Sequence, residues 1–132
     1  VVVHVAPLIV GLSDKDMLPI LQAAREAGAT SAMMMPVRLP GSVAEVFTTR
    51  LREAFPLRAE RVLSHIREMR GGRLNDPRFG SRQQGDGKYV EALHQSFEAA
   101  CRRLGYVDVP EPRPGTFQRP LASRRGQLGL FD

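Results

Sequence analysis

The sequence predicts an α/β fold of parallel βα units, and three observations carry that prediction. Two apolar runs of strand length, residues 1–6 and 31–39, alternate with runs of helical periodicity. Neither apolar run shows the strict polar–apolar alternation of a half-exposed strand, which points to strands covered on both faces, as in a parallel sheet. Glycine and proline punctuate the boundaries, at Pro7, Gly11, Gly28, Pro40-Gly41 and Gly71-Gly72.

The first expected strand, residues 1–6, is β-branched apart from His4 and Ala6 and is broken by Pro7 and Gly11. Ser13, Asp14 and Asp16 offer N-caps for a helix over about 17–27. Pro19 falls in its first turn, where a missing N–H costs little. Its apolar face is Leu18, Leu21, Ala24 and Ala27, or Ile20, Ala23 and Ala27, and Gly28 supplies a left-handed stop. The second strand, 31–39, contains Pro36, which cannot donate to a ladder and so assigns the strand to an edge.

Ser42-Val43-Ala44-Glu45 is a capping box that opens a second helix to about Ala54. Phe55-Pro56 interrupts it, because a residue before proline avoids the α region. A third helix over about 58–70 aligns Val62, Leu63, Ile66 and Met69 on one face. Residues 71–88 form a Gly-rich basic loop, and a fourth helix over about 89–104 aligns Tyr89, Leu93, Phe97, Ala100 or Cys101, and Leu104. Residues 106–126 are rich in Pro, Arg and Gly without periodicity and read as an extended tail. The expected division is 1–57 (βαβα), 58–105 (a helical extension) and 106–132 (a tail).

Composition narrows the chemistry. The chain has 132 residues, too few for a complete (β/α)₈ barrel of roughly 250. Its one cysteine, Cys101, makes no internal disulfide and cannot by itself build a multi-cysteine metal centre. No run of about 18 apolar residues and no signal-peptide pattern is present, so a reducing cytoplasmic location is expected. Two strands are too few for a stable sheet, and the chain opens at Val1 on an apparent strand, so a portion of a longer protein is expected, with the rest of that protein as its first partner. Completion of the sheet by a second copy of the chain is another reading. Charge is uneven: residues 1–57 hold five basic and five acidic side chains, whereas 58–132 hold fourteen and nine, the whole net charge of +5.

The loop after the first strand, Pro7-Leu8-Ile9-Val10-Gly11-Leu12-Ser13-Asp14, lies where parallel βα folds place ligands. Gly11 allows close backbone approach and Ile9 can pack on a flat ring, while an ordinary turn with Asp14 as cap satisfies the same residues. Arg38, at the mouth of the second strand beside Val37, suits a carboxylate or phosphate, or is a solvated loop arginine. Met33-Met34-Met35 cannot converge on one ion, since successive strand residues face opposite ways, and core filling is expected. His4, His65 and His94 lack paired-ligand spacing, and Cys101 reads as a buried thiol. In the basic loop, Arg73, Arg78, Arg82 and Lys88 suit phosphate contacts and Phe79 a stacked base, unless the loop packs back on the domain. The terminal Gln127-Leu128-Gly129-Leu130-Phe131 presents two spaced aliphatics and an aromatic behind a polar head, a peptide anchor at the end of a linker.

These pieces resemble known sequences. Gln127, Leu128, Leu130 and Phe131 resemble the QLxLF peptide by which bacterial DNA-associated proteins dock on the replication sliding clamp. The first strand and loop resemble the fifth strand of radical S-adenosylmethionine enzymes, whose motif is GxIxGxxE, with Pro7 for the first Gly, Ile9 and Gly11 retained and Asp14 for Glu. Together with Arg38-Leu39-Pro40-Gly41, Met69-Arg70-Gly71-Gly72-Arg73-Leu74 and Phe79-Gly80, the chain resembles the bacterial subgroup related to spore photoproduct lyase, labelled DNA repair photolyase-like, over about residues 1–105.

That resemblance implies the last two βα units of a partial (β/α)₆ barrel plus a helical C-terminal extension. It implies S-adenosylmethionine, with adenine near Ile9 and Gly11 and the next strand mouth at Val37 and Arg38. In such enzymes a [4Fe–4S] cluster held by a CxxxCxxC loop generates a 5′-deoxyadenosyl radical. This sequence has no such loop, so the cluster would belong to a preceding portion and the chain alone would be inactive. The expected function is therefore the C-terminal portion of a lyase-like radical enzyme, acting on nucleic acid. A non-catalytic nucleic-acid or sliding-clamp interaction module is the alternative.

Overall fold

The computed structural model describes residues 1–75, Pro77, 84–111 and Gly115. Strand β1 (Val2–Leu8) is followed by a 3₁₀ turn (Asp14–Asp16), helix α1 (Met17–Glu26) and strand β2 (Ser31–Pro36). Helices α2 (Val43–Ala54), α3 (Ala59–Met69) and α4 (Lys88–Leu104) complete the described elements. The protein is thus mixed α/β, with β1 and β2 paired in parallel through the α1 crossover.

The strand register contains an irregularity with a clear consequence. Val5 pairs with Met34 and Leu8 with Pro36, so three steps along β1 face two along β2. Strict alternation would put Val5 and Leu8 on opposite faces. The extra residue, next to the cis Ala6–Pro7 peptide, lets both bury, at 6% and 1% exposure. Pro7 therefore lies inside β1 rather than ending it.

The expectation of strands covered on both faces is corrected in part. His4, Ala6 and Met33 are exposed, because among the described elements the sheet's apolar contacts run to one helical layer. Met34 packs against the core as expected of it, whereas Met33, one residue away, is turned outward.

That layer is built on α3. Val62, Leu63, Ile66 and Met69 recur at helical spacing and are all essentially fully buried, joined by Ala59. Helix α1 contributes Met17 and Leu21, α2 contributes Leu51, and α4 contributes Val90, Leu93 and Ala100 to the same cluster. On α1 the face carrying Leu21 and Leu18 is the inward one, while Ile20 and Ala23 are exposed. On α4, Val90 rather than Tyr89 enters the core. Residues 1–57 and 58–105 thus share one hydrophobic core.

Neither expected side-chain cap forms: Ser42 and Asp16 make no capping hydrogen bond at α2 or α1. Ser42 already has helical dihedrals, which removes it from the extended geometry a capping side chain needs.

The end of α4 is fixed to α1. Gly105, at φ +74°, closes the helix with Tyr106 N–H donating to Cys101 C=O at 3.0 Å. Tyr106 Oη then donates to Leu21 C=O at 2.7 Å, and Val107 N–H donates to Thr30 C=O at 3.0 Å. Arg25 donates through Nε to Leu104 C=O at 3.1 Å and through Nη1 to Ala29 C=O at 2.8 Å. Residues 106–108, expected to begin the tail, are therefore docked on the domain.

Replacing Ile66, fully buried on α3, by Ala is expected to cost about 2–5 kcal/mol in urea unfolding. Leu57→Ala, at a side chain 99% exposed, should stay within about 0.5 kcal/mol of the parent. Equal losses for the two would contradict this packing.

Candidate functional site

The parallel register brings the carboxyl ends of β1 and β2 side by side. Val37 N–H donates to Leu8 C=O at 2.8 Å, one step past the last paired residues. Ile9 and Arg38, the residues immediately beyond, therefore occupy neighbouring strand mouths. Ile9 is half-buried against the core. Arg38 is half-buried too, and its Nε is shielded from solvent with no hydrogen-bond partner. A buried guanidinium N–H without an acceptor is costly, so this group is disposed to take an anionic or carbonyl oxygen.

Val37 is different. Its side chain is 5% exposed and belongs to the core cluster, so only its backbone is at the mouth. Its carbonyl is occupied by Arg70, whose Nη2 donates to Val37 C=O at 3.0 Å and reaches Pro36 C=O at 3.5 Å. Arg70 is 2% exposed, and the sequence marks it only within the Met69–Leu74 stretch, with no role of its own. In a chain with seventeen arginines, one at a helix end carries no distinguishing signal. Its effect is to hold the end of β2 against the end of α3.

The loop from Ile9 to Asp14 is tied to itself. Leu12 and Ser13 N–H donate to Ile9 C=O at 3.0 and 2.9 Å, and Ile9 N–H donates to Ser13 Oγ at 2.9 Å. Gly11 N–H donates to Asp14 Oδ2 at 3.1 Å. Asp14, expected as a helix cap or as the acid of the motif, thus closes the loop onto Gly11. Tyr89 Oη of α4 donates to the same carboxylate oxygen at 3.3 Å.

Gly11 serves two structural needs. Its φ is +78°, and a Cβ there would sit 3.3 Å from His65 Cδ2. The space that a side chain would fill is faced by α3. Of the expected cofactor set, Ile9 and Arg38 are half-buried at the strand mouths, Gly11 lies in the loop backed by α3, and the Val37 side chain is in the core.

Next to Gly11 lies a polar cleft of about 280 Å³ lined by Arg58, Arg61, Val62, His65 and Tyr89. The His65 and Tyr89 rings lie 4.6 Å apart, tilted by 36°. Burial, followed by the Asp14 charge and hydrogen bond, pushes the Tyr89 phenol up from its ordinary range.

Of the expected nucleic-acid residues, Arg73 and Lys88 are exposed, while Arg78, Phe79 and Arg82 lie outside the described residues, as do Gln127, Leu128, Leu130 and Phe131. Cys101 is half-buried, and burial, with Glu98 nearby, pushes its thiol upward. No group of three or more His, Cys, Asp or Glu among the described residues could hold a metal ion. No described helix is long and apolar enough to cross a membrane.

The chain matches no family model, no curated protein and no solved structure. The site is accordingly read from its own geometry.

Gly11→Ala is expected to lower stability by about 1–2 kcal/mol, from the left-handed backbone and the His65 contact together. Adding His65→Ala should relieve only part of that loss in a double-mutant cycle, since the backbone term persists. A second expectation concerns pH. Because the folded Tyr89 pKa is raised, the native state holds its proton longer than the unfolded chain. The contribution is fully present below the ordinary tyrosine pKa and is lost as pH rises from there through the raised folded value. Tyr89→Phe should therefore flatten that part of the alkaline loss in urea midpoints, and an unchanged slope would contradict it.

Proposed function

We propose that this chain forms the C-terminal part of a radical S-adenosylmethionine enzyme of lyase-like type, related to the spore photoproduct lyase subgroup. In this reading β1 and β2 are the last two strands of a partial (β/α)₆ barrel, and preceding strands of the same protein pair with the sheet. One observation carries the proposal furthest: the Leu8–Val37 hydrogen bond sets Ile9 and Arg38 at adjacent mouths of parallel strands, where such a barrel presents its ligand.

The residues fit the two expected groups unequally. Ile9 offers an apolar surface for an adenine face, and the shielded Arg38 Nε offers a donor to a carboxylate or ribose oxygen. Together they would bind and orient S-adenosylmethionine, which when bound supplies hydrogen-abstracting radical chemistry. The [4Fe–4S] cluster does not fit this chain. A cluster with one open site needs three thiolates, and Cys101 is a single half-buried thiol on α4. The cluster ligands would come from a CxxxCxxC loop outside these residues.

Nucleic acid as the substrate class, a sliding clamp as a partner through Gln127, Leu128, Leu130 and Phe131, and a cytoplasmic location belong to the same proposal and rest on the sequence.

Binding of S-adenosylmethionine by the protein containing this segment tests the proposal. Arg38→Ala should weaken it about tenfold or more by equilibrium dialysis, consistent with loss of a charge-assisted contact. Absence of binding in the parent protein would overturn the reading. Anaerobic iron–sulfide reconstitution of the 132-residue chain alone should leave no stoichiometric cluster. Deleting residues 127–131 should abolish retention on immobilised bacterial sliding clamp, and undiminished retention would remove the clamp from the proposal.

A further inference from the structure

Helix α3 has two working stripes. One, through Val62, Leu63, Ile66 and Met69, is the core. The other follows the spacing i, i+3, i+7 through Arg58, Arg61 and His65 and walls the cleft beside Gly11. Tyr89 of α4 closes the far side against the His65 ring.

The charges in this cleft are not explained by folding. Arg50, Arg52 and Arg102 each meet a carboxylate, from Glu53, Glu60 and Glu98. Arg58 and Arg61 meet none among the described residues, and neighbouring Glu60 is taken by Arg52 at 2.7 Å. Both arginines also lie at the amino-terminal end of α3, the positive end of its dipole, where cations are unfavourable. One carboxylate adjoins the cleft: Asp14 accepts from Gly11 N–H and Tyr89 Oη, two of the lining residues. The cleft therefore carries two arginines without a carboxylate partner among the described residues and one acid already bonded to its wall.

We propose that this cleft binds a phosphate group. Arg58, Arg61 and His65 line a recess of about 280 Å³, room for a phosphoryl group together with part of what carries it. Arginine forks match the tetrahedral oxygens of phosphate bidentately, and the dipole of α3 adds to the same field. Tyr89, 38% exposed and lining the cleft, gives a ring attached to that phosphate an aromatic neighbour. The phosphate source is either a small monoester or a nucleic-acid backbone, since both present the same oxygens. The proposal stands on the cleft alone and does not depend on S-adenosylmethionine.

The test is a chemical-shift titration of the isotope-labelled full chain at constant ionic strength, which removes general screening as a cause. Phenyl phosphate is the monoester probe and a short oligothymidylate the diester probe. Saturable shifts at Gly11, His65 and Tyr89 are expected with at least one probe, and the probe that produces them identifies the source. Arg58→Gln with Arg61→Gln should weaken that binding about tenfold or more. Arg50→Gln, at the exposed pair with Glu53, should leave it unchanged. Both cleft arginines are exposed at the positive end of the α3 dipole, so the double variant should keep or slightly raise the parent urea midpoint. No saturable shift at those three residues with either probe would overturn the proposal. So would an equal loss in Arg50→Gln, which would mark the binding as unspecific charge attraction.

Discussion

Two parallel strands cannot bury enough surface to hold themselves together, and the structure meets that constraint with a helical layer. Val62, Leu63, Ile66 and Met69 of α3 share one core with Val5, Leu8 and Val10 and with residues of α1, α2 and α4. The bulge in β1 follows from the same requirement, since without it Val5 and Leu8 could not both face that core. Arg70, at the end of α3, then engages the backbone at the end of β2. The strand ends are thereby fixed by a helix that follows them in sequence by more than twenty residues.

That dependence links core to site. Because α3 is buried along one stripe, His65 on its other stripe is set against Gly11 and Tyr89, with Arg58 and Arg61 lining the same cleft. The loop between β1 and the 3₁₀ turn is closed by Asp14 on one side and backed by His65 on the other. Two faces of ligand-competent chemistry thus meet at one short loop: Ile9 and Arg38 at the strand mouths, and a cationic cleft beside Gly11. Their proximity is a consequence of packing.

Much of the local structure was legible in the residues. The spacing of Val62, Leu63, Ile66 and Met69 admits one periodicity, and Gly28 and Gly105 end helices in left-handed geometry as their positions suggest. The capping box at Ser42 and Glu45 was misleading because side-chain capping needs an extended N-cap backbone, and the local chain is already helical there. Tyr89 satisfies the apolar spacing of α4, yet Val90 is the residue buried, because the helix is rotated to let Tyr89 reach Asp14 and His65. Periodicity gives a stripe to within one residue, and tertiary partners choose between neighbours.

The sequence by itself determined the α/β class, the order of its elements and the glycine at position 11, because these follow from side-chain period and backbone stereochemistry within a few residues. Only the tertiary structure decided that Val37 is core and Arg38 is mouth, that Arg70 is buried beneath them, and that residues 106–108 dock on α1 and β2. It alone assembled Arg58, Arg61, His65 and Tyr89 around Gly11. Gly11, the 58–65 stripe and Tyr89 are far apart along the chain, and nothing in the sequence between them encodes the approach of α3 and α4 to the β1 loop. That approach is set by the shared burial of four helices with two short strands, a property of the whole core.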